Sequence, residues 1–524
     1  MAERAETQKR SIFFGNGFNY RFLIILLFVA ISVSGISFSL YLFLISNNMY
    51  TFVIAAVFFI LSLVASVFNI YAAYLYYRSY FYNDYLNRIS RGLKPMKRYP
   101  KVAVIVPIRN ENPDIVKRTL SSLMLMNYPK DKIRIYVSDS SSDMDAVDRI
   151  RDFCKSNGLT YIYGENRKGK AGNLNRAMEA LKDERYVAIF DYDERLVDRN
   201  FLIDLIPYFD DKRVAYVQTE KAYDKGNLFT ESIDLFDKFF FKFIEPARAM
   251  NNTAIYAGSC GLISRSVLNE MGGFPEYVIE DTFFSFDAHS RGYKGLYIPK
   301  VYALGIQLKT FSALSKQQWR YNFGDTEFIG YFVAKRKYMK ERNMLDHMDY
   351  IMHGLGLSYI SVILICFTVV SILIVFSTLS YTHISLGYLL NLNNITLDLE
   401  ILGSGALFLS VFAPVVLSKI YFGSFKKGFM LFALNYALAI TRAKAVIAVI
   451  LRRNPFTYWK REAKVRKHDA YFSLISTKVE LLFAGLIFAF SYIAISTDNL
   501  IGGAWLIWYG IMYIFATIFV YRYG

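Results

Sequence analysis

The sequence predicts an α-helical membrane protein with a doubly wound α/β domain inserted between its second and third transmembrane helices. Three observations support this fold class. Hydrophobic residues make up 54% of the 524 residues and charged residues only 20%, which is too apolar for an ordinary soluble protein. Several apolar segments are long enough to cross a bilayer. The long polar region between them alternates short apolar runs with amphipathic stretches, as a parallel sheet flanked by helices does.

Six apolar segments approach the roughly 20 residues that a helix needs to cross the hydrocarbon core. The predicted spans are residues 22–46, 51–75, 354–379, 401–422, 479–496 and 500–521. A seventh apolar segment, 428–451, is interrupted by Arg442 and Lys444. We expect this segment to lie along the membrane interface, and a true span there would leave the rest of the prediction unchanged.

The basic residues predict the orientation of these helices. The connections 47–50, 380–400 and 497–499 contain no Lys or Arg, so the 61 basic residues of the chain lie almost entirely on the opposite side. Cytoplasmic loops of membrane proteins are enriched in Lys and Arg, so both termini and the polar insertion are predicted to be cytoplasmic. The result is a multi-pass protein of the cell membrane whose net charge of +17 reflects contact with membrane lipids rather than nucleic-acid binding.

The same pattern divides the chain into seven segments. They are a cytosolic N-terminus (1–21), two transmembrane helices (22–75), a cytosolic α/β domain (76–310), interfacial amphipathic helices (311–353), two transmembrane helices (354–422), an interfacial helix with a basic cytosolic loop (423–478) and two further transmembrane helices (479–524). The α/β domain is the part of this plan that could carry chemistry.

The polar insertion begins with the pattern of a doubly wound sheet. Residues 102–107 form a continuous apolar run, as a parallel strand buried on both faces requires, and Asn112-Pro113 then caps a predicted helix. Further strands are predicted at 133–137, 160–163 and 186–190, and further helices at 143–156 and from about residue 172. Strands that alternate with helices predict right-handed crossovers and a Rossmann-like, mostly parallel sheet.

Polar residues follow the predicted strands, where such sheets bind their ligands. Arg109 and Glu111 follow the first strand, Asp139 ends the second, and Asp191 and Asp193 follow the fourth. Two carboxylates on either side of one residue suit a hard cation such as Mg²⁺ or Mn²⁺, which shares its oxygen ligands with phosphates; a solvated acidic turn is the alternative. No GxGxxG opens the first helix and no GxxxxGKS/T occurs, which argues against dinucleotide and P-loop sites.

Eight short motifs, in this order, resemble those of the membrane-embedded family 2 glycosyltransferases, which include cellulose, chitin and hyaluronan synthases. The motifs are Pro107-Ile108-Arg109-Asn110-Glu111, Val137-Ser138-Asp139, Lys170-Ala171-Gly172-Asn173-Leu174-Asn175, Asp191-Tyr192-Asp193, Val217-Gln218-Thr219, Gly258-Ser259-Cys260-Gly261, Ile279-Glu280-Asp281 and Gln317-Gln318-Trp319-Arg320-Tyr321. The resemblance covers residues 100–325. It implies a GT-A fold, a Rossmann-like sheet that binds a nucleotide-sugar donor.

The resemblance also implies a role for the residues of each motif. The donor would be bound by Pro107, Arg109, Glu111, Asp139, Lys170, Asp191, Gln317 and Arg320. The acceptor site would be lined by Gly258, Ser259, Cys260, Glu280, Trp319 and Tyr321. Asp191 and Asp193 would hold Mg²⁺ or Mn²⁺ against the donor diphosphate. Asp281 would be the catalytic base of an inverting transfer, and capping a helix that starts near Thr282 is its alternative role.

Other residues of these motifs also have structural alternatives. Arg320 either pairs with a donor phosphate or is one basic residue of an interfacial helix. Lys170 either contacts the donor or belongs to the charge run 167–170. Trp319 and Tyr321 either stack on sugar rings or anchor their helix at the membrane interface.

The basic stretch 452–468 lies between the predicted interfacial segment and the fifth span. We predict that it binds anionic lipid headgroups, because clusters of Lys and Arg beside a membrane are attracted to them. The resemblance suggests the alternative that this loop closes over the donor.

The predicted activity is transfer of a sugar from a nucleotide-sugar donor, with a UDP-sugar expected, to a growing polysaccharide that passes through the membrane region. The alternative is a transferase that adds one sugar to a polyprenyl phosphate or another lipid acceptor. Tyr321 keeps this alternative open, because the QxxRW motif of processive synthases has Trp there. A transporter is disfavoured because the predicted membrane segments carry no ionisable cluster besides Arg442 and Lys444.

Overall fold

The structure is a computed structural model, and it describes residues 20–44, 46–94, 96, 98–165, 169–339, 344–376, 415–416, 418–420, 422–455, 477–497 and 499–523. Several sequence predictions lie outside these residues, namely those for 1–19, for the connection 380–400, for most of the span 401–422 and for most of the basic loop 452–468. The chain forms two compact units. The helical unit comprises 1–77, 361–440 and 470–522, and the α/β unit comprises 78–360, 441–469 and 523–524.

The helices are numbered here in chain order through the described residues. The α-helices are α1 (Tyr20–Leu44), α2 (Met49–Tyr80), α3 (Tyr82–Arg91), α4 (Pro113–Leu123), α5 (Met144–Ser156), α6 (Gly169–Glu179), α7 (Phe201–Leu205), α8 (Leu228–Phe239), α9 (Glu245–Ala249), α10 (Arg265–Glu270), α11 (Glu280–Ser290), α12 (Phe311–Lys335), α13 (Met344–Val375), α14 (Phe425–Ile450), α15 (Lys478–Ser496) and α16 (Leu500–Tyr523). Short 3₁₀ turns occupy Lys130–Lys132, Ile206–Asp210 and Arg336–Met339, and a π-helical turn, Phe240–Ile244, joins α8 to α9.

Four helices are long and apolar enough to cross a membrane, judged by length and composition over the described residues. They are Met49–Tyr80, Phe425–Ile450, Lys478–Ser496 and Gly502–Arg522. Two further helices contain shorter apolar stretches, Phe28–Leu44 and Leu364–Leu373. The segment 428–451, expected at the interface, therefore has the length of a span, and its placement stays a prediction.

Small and polar residues shape the first hairpin of the helical unit. The side chain of Asn48 accepts a hydrogen bond from the Thr51 amide at 2.9 Å and so caps α2. Further along α2, the Ser66 hydroxyl donates to the Ser32 carbonyl of α1 at 3.3 Å. Small hydroxyl residues at such contacts allow helix backbones to approach closely, as in packed membrane helices.

An eight-stranded sheet forms the core of the α/β unit. Its strands are β1 (Val102–Ile108), β2 (Ile133–Asp139), β3 (Thr160–Tyr163), β4 (Tyr186–Ile189), β5 (Arg195–Leu196), β6 (Val214–Tyr223), β7 (Gly261–Ser264) and β8 (Lys294–Gly305), in the order β3-β2-β1-β4-β7-β6-β8-β5. Strands β3, β2, β1 and β4 are parallel, β7 runs antiparallel to β4 and β6, β6 is parallel to β8, and β5 is antiparallel to β8. The predicted Rossmann-like sheet is confirmed, with the antiparallel strands confined to its second half.

Strand β1 shows why the sheet is buried on both faces. All seven of its residues are buried. Val102, Val104 and Val106 belong to one apolar cluster, whereas Ala103 and Ile105 belong to another. Side chains alternate between the two faces of a strand, so these clusters are the two layers that the flanking helices cover.

The predicted helices of this domain are present, with one shifted boundary. Asn112 caps α4 through the Asp114 amide, and Asp143 caps α5 through the Ala146 amide. Helix α6, expected from about residue 172, already begins at Gly169. The earlier start places Lys170 in the first turn of α6, so that its position depends on the end of the helix rather than on a loop.

Candidate active site

The turns after β1 and β2 are joined by two asparagines. Asn110, in the left-handed region at φ +56°, donates its backbone N–H to the Ser141 hydroxyl at 2.7 Å, and its side-chain oxygen accepts from the Ser142 amide at 2.7 Å. The Asn173 amide of α6 donates to the Ile108 carbonyl at 3.1 Å and to the Ser140 hydroxyl at 2.9 Å. The Asn in the first motif and the Asn in the third therefore hold two strand ends together and build one wall of the predicted nucleotide site.

Asp139 lies at the end of β2 and is fully buried. One carboxylate oxygen accepts a hydrogen bond from the Ser141 amide at 2.7 Å, and the other accepts one from the Tyr161 hydroxyl at 2.6 Å. These bonds fix the carboxylate at the strand end, and its contact with a nucleoside stays a prediction. Pro107 is buried within β1, and Arg109 is half-buried just beyond the strand.

Asp191 lies between two lysine side chains. Lys170 approaches its Oδ1 at 2.5 Å, and Lys221 lies 3.6 Å from its Oδ2. Burial alone would raise the pKa of the Asp191 carboxyl, but the two ammonium groups outweigh it and hold that pKa well below its usual range. Lys170 also donates to the Gly258 carbonyl at 3.0 Å. This single side chain therefore connects the acidic motif to the residues around Gly258, which are predicted to line the acceptor site.

Asp193 has a different environment from that of Asp191. One of its oxygens accepts a hydrogen bond from the Ile306 amide at 3.2 Å. Burial, followed by the negative charges of Asp191 and Glu194, raises the pKa of the Asp193 carboxyl to about 7. Tyr192, between the two aspartates, forms a side-chain hydrogen bond with Glu111, which brings the first motif to this loop.

The carboxyl group of Asp193 fits a divalent cation. Its neighbours disfavour its negative charge, and a cation would stabilise that charge. Within the described ranges, no group of three or more His, Cys, Asp or Glu side chains is arranged to hold a metal ion. A cation at Asp193 would therefore take most of its ligands from phosphate oxygens and water, as Mg²⁺ commonly does.

Residues 254–260 have no regular secondary structure, yet side chains from several elements hold their backbone. The Glu245 carboxylate accepts from the Ile255 amide at 3.0 Å, and the Ser285 hydroxyl accepts from the Tyr256 amide at 2.9 Å. Gln218 of β6 accepts from the Ala257 amide at 2.8 Å and donates to the Ser259 carbonyl at 3.0 Å. Because the sequence predicts that Gly258 and its neighbours line the acceptor site, we call residues 254–260 the acceptor segment.

Gly258 is required where the acceptor segment passes beneath the predicted base. Its φ is +81°, and a Cβ atom at this position would lie 2.8 Å from Oδ2 of Asp281. Both the backbone conformation and the space therefore favour glycine. The adjacent Ser259 donates its hydroxyl hydrogen to Glu194 at 2.6 Å.

Cys260 lies beneath the predicted acceptor site rather than on its surface. Its side chain is only 1% exposed and belongs to the apolar core, although its φ of +51° is unusual for a residue with a side chain. Burial, and after it the charge of Glu194, raises the pKa of the Cys260 thiol well above its usual range. The thiol is therefore a core group, and the prediction that it lines the acceptor site is not supported.

Glu280 and Asp281 occupy the first turn of α11. The N-cap residue of this helix is Ile279, so the alternative role of Asp281 as the helix cap is wrong by two positions, and its Oδ1 accepts from the Thr282 amide at 2.8 Å. Burial, then the charge of Asp281, raises the pKa of Glu280 to about 7, against the opposing effects of Lys170 and Arg320. Burial also raises the pKa of Asp281, against the effect of Lys170. A carboxyl group with a raised pKa suits a general base.

The QxxRW-like motif lies on α12, and its residues separate into two groups. The guanidinium carbon of Arg320 lies 5.4 Å from the centroid of the Tyr321 ring. The charge of Arg320 also opposes the rise in the pKa of Glu280. Tyr321 is partly buried and packs against the apolar cluster that contains Ile279 and Phe283. Burial, opposed by the charge of Arg320, raises the pKa of its phenol. Gln317 is half-buried on this helix, and its donor contact stays a prediction.

Trp319 faces away from this group. It is 8% exposed and stacks on Phe323, with ring centroids 5.2 Å apart, next to Ala445 and Ala448 of α14. The structure therefore does not bring Trp319 to the predicted acceptor site. Its packing against α14 explains its burial without the alternative role as an anchor at the membrane interface.

The adjacent Gln318 accepts hydrogen bonds from Nε and Nη2 of the fully buried Arg442, at 3.0 and 2.6 Å. This pairing with α12 explains why the apolar segment 428–451 contains an arginine.

The sequence interpretation missed three residues of this site, namely Glu194, Lys221 and Gln218 as a positioning residue. Glu194 directly follows the acidic motif, and its carboxylate accepts from the Asp191 amide at 2.7 Å. Lys221 follows Thr219 by two positions in β6. The pairing of β6 with β8 is irregular between Thr219 and Ala222, so simple strand alternation could not have placed the Lys221 side chain.

Substitution of Gln218 tests the hydrogen bonds of the acceptor segment. Gln218→Ala leaves a buried amide and a buried carbonyl without their side-chain partner, which costs about 1–3 kcal/mol per group. We expect a lower Tm of the full-length protein in detergent and a larger rise in KM for the acceptor than for the donor. The control is Glu179→Ala at an exposed helix end. Equal Tm values for the two variants would contradict the prediction.

Acidic and basic side chains thus gather beyond the strand ends of a Rossmann-like sheet, where sheets of this kind bind their ligands. Residues 103–272 match the family model described as glycosyl transferase family 2. This part of the chain is therefore similar to family 2 glycosyltransferases, and the α/β unit has the Rossmann-like sheet that was predicted for a GT-A fold.

Comparisons with known proteins agree with this assignment. The chain is similar to a cellulose synthase catalytic subunit (UDP-forming) of Pseudomonas fluorescens, 31% identical over 237 residues, which are 44% of this chain and 31% of that protein. It is similar to a probable glucomannan 4-beta-mannosyltransferase 7 of Oryza sativa, 29% identical over 240 residues, which are 43% of this chain and 40% of that protein. The match thus spans less than half the length of these relatives.

A solved structure is also similar in part. The mannosyltransferase PcManGT from Pyrobaculum calidifontis, in complex with GDP-Man and Mn²⁺, gives a TM-score of 0.45 at 18% identity, covering 72% of this chain and 98% of that chain.

Proposed function

We propose that the chain transfers a sugar from a nucleotide-sugar donor to a hydroxyl group of a growing polysaccharide, with inversion at the anomeric carbon. The observation that carries this proposal is the position of Lys170, which bonds both Asp191 of the acidic motif and the Gly258 carbonyl beneath Asp281. One side chain thus brings the donor-binding loop, the acceptor segment and the candidate base together. A transferase needs these three parts within reach of one reacting carbon.

In the proposed reaction, the acceptor hydroxyl oxygen attacks the anomeric carbon from the side opposite to the diphosphate. The bond from that carbon to the diphosphate oxygen breaks, and the nucleoside diphosphate leaves with the bonding electrons. Asp281 takes the proton of the attacking hydroxyl. Lys170 and Arg320 would stabilise the charge on the leaving group, and a divalent cation at Asp193 would supply further electrostatic stabilisation when bound.

The donor class and the acceptor are the finer parts of the proposal. The relatives include UDP-forming cellulose synthase subunits, which favours a UDP-sugar and a glycan product. The cation that we propose at Asp193 is Mg²⁺ or Mn²⁺, and we propose that the glycan passes through the membrane region. Transfer of one sugar to a lipid-linked acceptor is the second candidate. It is favoured by the burial of Trp319, because this leaves Tyr321 as the remaining aromatic residue of the motif that could stack on a sugar.

We also propose a location at the cell membrane, multi-pass, with the catalytic domain and both termini on the cytoplasmic side. The support is the concentration of Lys and Arg in the segments assigned to that side. Contact of the basic stretch 452–468 with anionic lipids belongs to the same proposal.

Product length distinguishes the two acceptors. The protein in detergent is incubated with a panel of nucleotide sugars, and the products are sized. A polymerase should give long products that Tyr321→Ala shortens, because stacking on an aromatic face contributes about 1–3 kcal/mol per ring in comparable platforms. Tyr321→Trp should lengthen them.

Trp319→Phe is the matched control, since it changes a core aromatic residue of the same helix and should leave product length unchanged. A single discrete glycolipid from the wild type and every variant, unchanged by excess donor, would exclude the polymer and leave the lipid acceptor.

A further inference from the structure

We propose that Lys221 binds the diphosphate of the donor, as a second cationic residue beside Lys170. The proposal rests on the proposed transfer from a nucleotide sugar. It adds to that function a residue of β6 that stabilises the leaving group.

The two lysines approach Asp191 from different sides. Lys170 lies on Oδ1 at 2.5 Å, whereas Lys221 lies 3.6 Å from Oδ2 and 3.6 Å from Oε1 of Glu194. Their side chains are 23% and 17% exposed, and that of Asp191 is 31% exposed. The three charged groups are therefore partly covered by protein and still reach the surface of the site.

Two short hydrogen bonds hold the Lys170 ammonium group in place, so its charge acts from a fixed position. Its ammonium donates to the Gly258 carbonyl at 3.0 Å as well as to Asp191, and so it holds the acceptor segment. Lys221 differs, because both of its ion-pair distances exceed the range of a hydrogen bond, which ends near 3.2 Å. Its flexible four-carbon chain can turn the ammonium group towards an incoming anion without breaking a short bond.

Glu194 does not depend on Lys221 for its position. Its carboxylate accepts from the Asp191 amide at 2.7 Å and from the Ser259 hydroxyl at 2.6 Å. The Lys221 charge is therefore not needed to position this carboxylate. Partial burial of its ammonium group nevertheless has a desolvation cost, which a bound anion would offset. A diphosphate beside Asp191 would offer Lys221 the phosphate oxygens that lysines bind as point charges.

The inference predicts that nucleoside diphosphate binding persists in part without a divalent cation and that this residual binding depends on Lys221. The full-length protein in detergent is titrated calorimetrically with UDP and GDP, and with uridine and guanosine, in excess EDTA and again with Mn²⁺. We expect Lys221→Met to weaken the binding of whichever diphosphate the wild type binds by about tenfold or more in EDTA, the usual size of one charge-assisted contact. Binding of the matching nucleoside should not change.

Two further variants separate the role of the charge from a structural role. Lys221→Arg keeps the charge and should retain most of the diphosphate affinity. Lys242→Met removes a neighbouring lysine that pairs with Glu220 at 2.7 Å and should have no effect.

The possible outcomes lead to different conclusions. Equal diphosphate affinity of Lys221→Met and the wild type in EDTA would overturn the inference and leave the proposed function standing. A parallel loss of nucleoside affinity would assign Lys221 a merely structural role and also overturn it. Absence of any UDP or GDP binding by the wild type would overturn both the inference and the proposed function.

Discussion

Replacing Asp281 by Asn is expected to stop sugar transfer while donor binding is retained. The amide of Asn cannot take the proton of the acceptor hydroxyl, and loss of a general base lowers rates by about 10²–10⁴-fold. The substitution is nearly isosteric, and its oxygen can still accept from the Thr282 amide, as Asp281 does at 2.8 Å. The first turn of α11 should therefore stay in place.

Transfer rate and calorimetric donor affinity are to be measured on one preparation. Asp287→Asn, on the same helix, is the control, because Asp287 pairs with the Tyr331 hydroxyl at 2.7 Å rather than with the site and should affect transfer little. A near-normal transfer rate in Asp281→Asn would exclude Asp281 as the base.

The pH dependence of transfer follows from the same pair of carboxyl groups. The raised pKa of Asp281 means that its basic form is lost early as the pH falls, so the rate should decline on the acid side of neutrality. Glu280, with a pKa of about 7, titrates together with it. Glu280→Gln removes the carboxyl group that burial and then the charge of Asp281 bring to a pKa of about 7, so the profile should change near that pH while the decline set by Asp281 remains. No movement of the profile would contradict this coupling.

Replacing Asp193 by Asn is expected to be nearly as severe. A cation beside the diphosphate neutralises the charge of the leaving group, and loss of comparable electrostatic groups lowers rates by about 10²–10³-fold. We expect weaker Mn²⁺ binding in the presence of nucleoside diphosphate, measured by electron paramagnetic resonance, together with the loss of transfer. The reason is that burial, and after it repulsion from Asp191 and Glu194, disfavours the negative charge of Asp193, which a cation would stabilise.

Asp183→Asn is the matched control for this experiment. Asp183 pairs with Lys101 and Arg134 on the exposed side of the domain, where ion pairs contribute little. Full transfer in excess chelator, or unchanged Mn²⁺ affinity in Asp193→Asn, would refute a metal role for Asp193.

The first half of the sheet was predictable because two of its strands, β1 and β4, are continuous buried runs. Residues 102–108 are all buried, and a strand covered on both faces needs no polar position. The second half was not predicted in detail. Strand β7 has only four residues, Gly261–Ser264, and its antiparallel pairings with β4 and β6 join segments separated by dozens of residues.

The candidate site was predictable to the extent that single motifs carry its chemistry. The order of the motifs led to Asp191, Asp193 and Asp281, and the structure brings the elements that carry them to one edge of the sheet. The side-chain environments were not predictable. Trp319 packs against Ala445 and Ala448, which lie more than 120 residues later in the chain, and no local sequence pattern predicts that contact. The proximity of Lys221 to Asp191 likewise depends on β6 and β4 lying two strands apart.

The acceptor segment has a consequence for the order of folding. Its backbone is held by Gln218 of β6 and Ser285 of α11, which are 39 and 29 residues away along the chain. The Cys260 amide at its end donates to the Ile189 carbonyl of β4. Such long-range partners must all be present before the segment gains a fixed conformation, and contacts of high sequence separation form late. We therefore expect the segment to be among the last parts of the domain to order, so that a partly folded chain with a complete nucleotide wall would still lack a competent acceptor site.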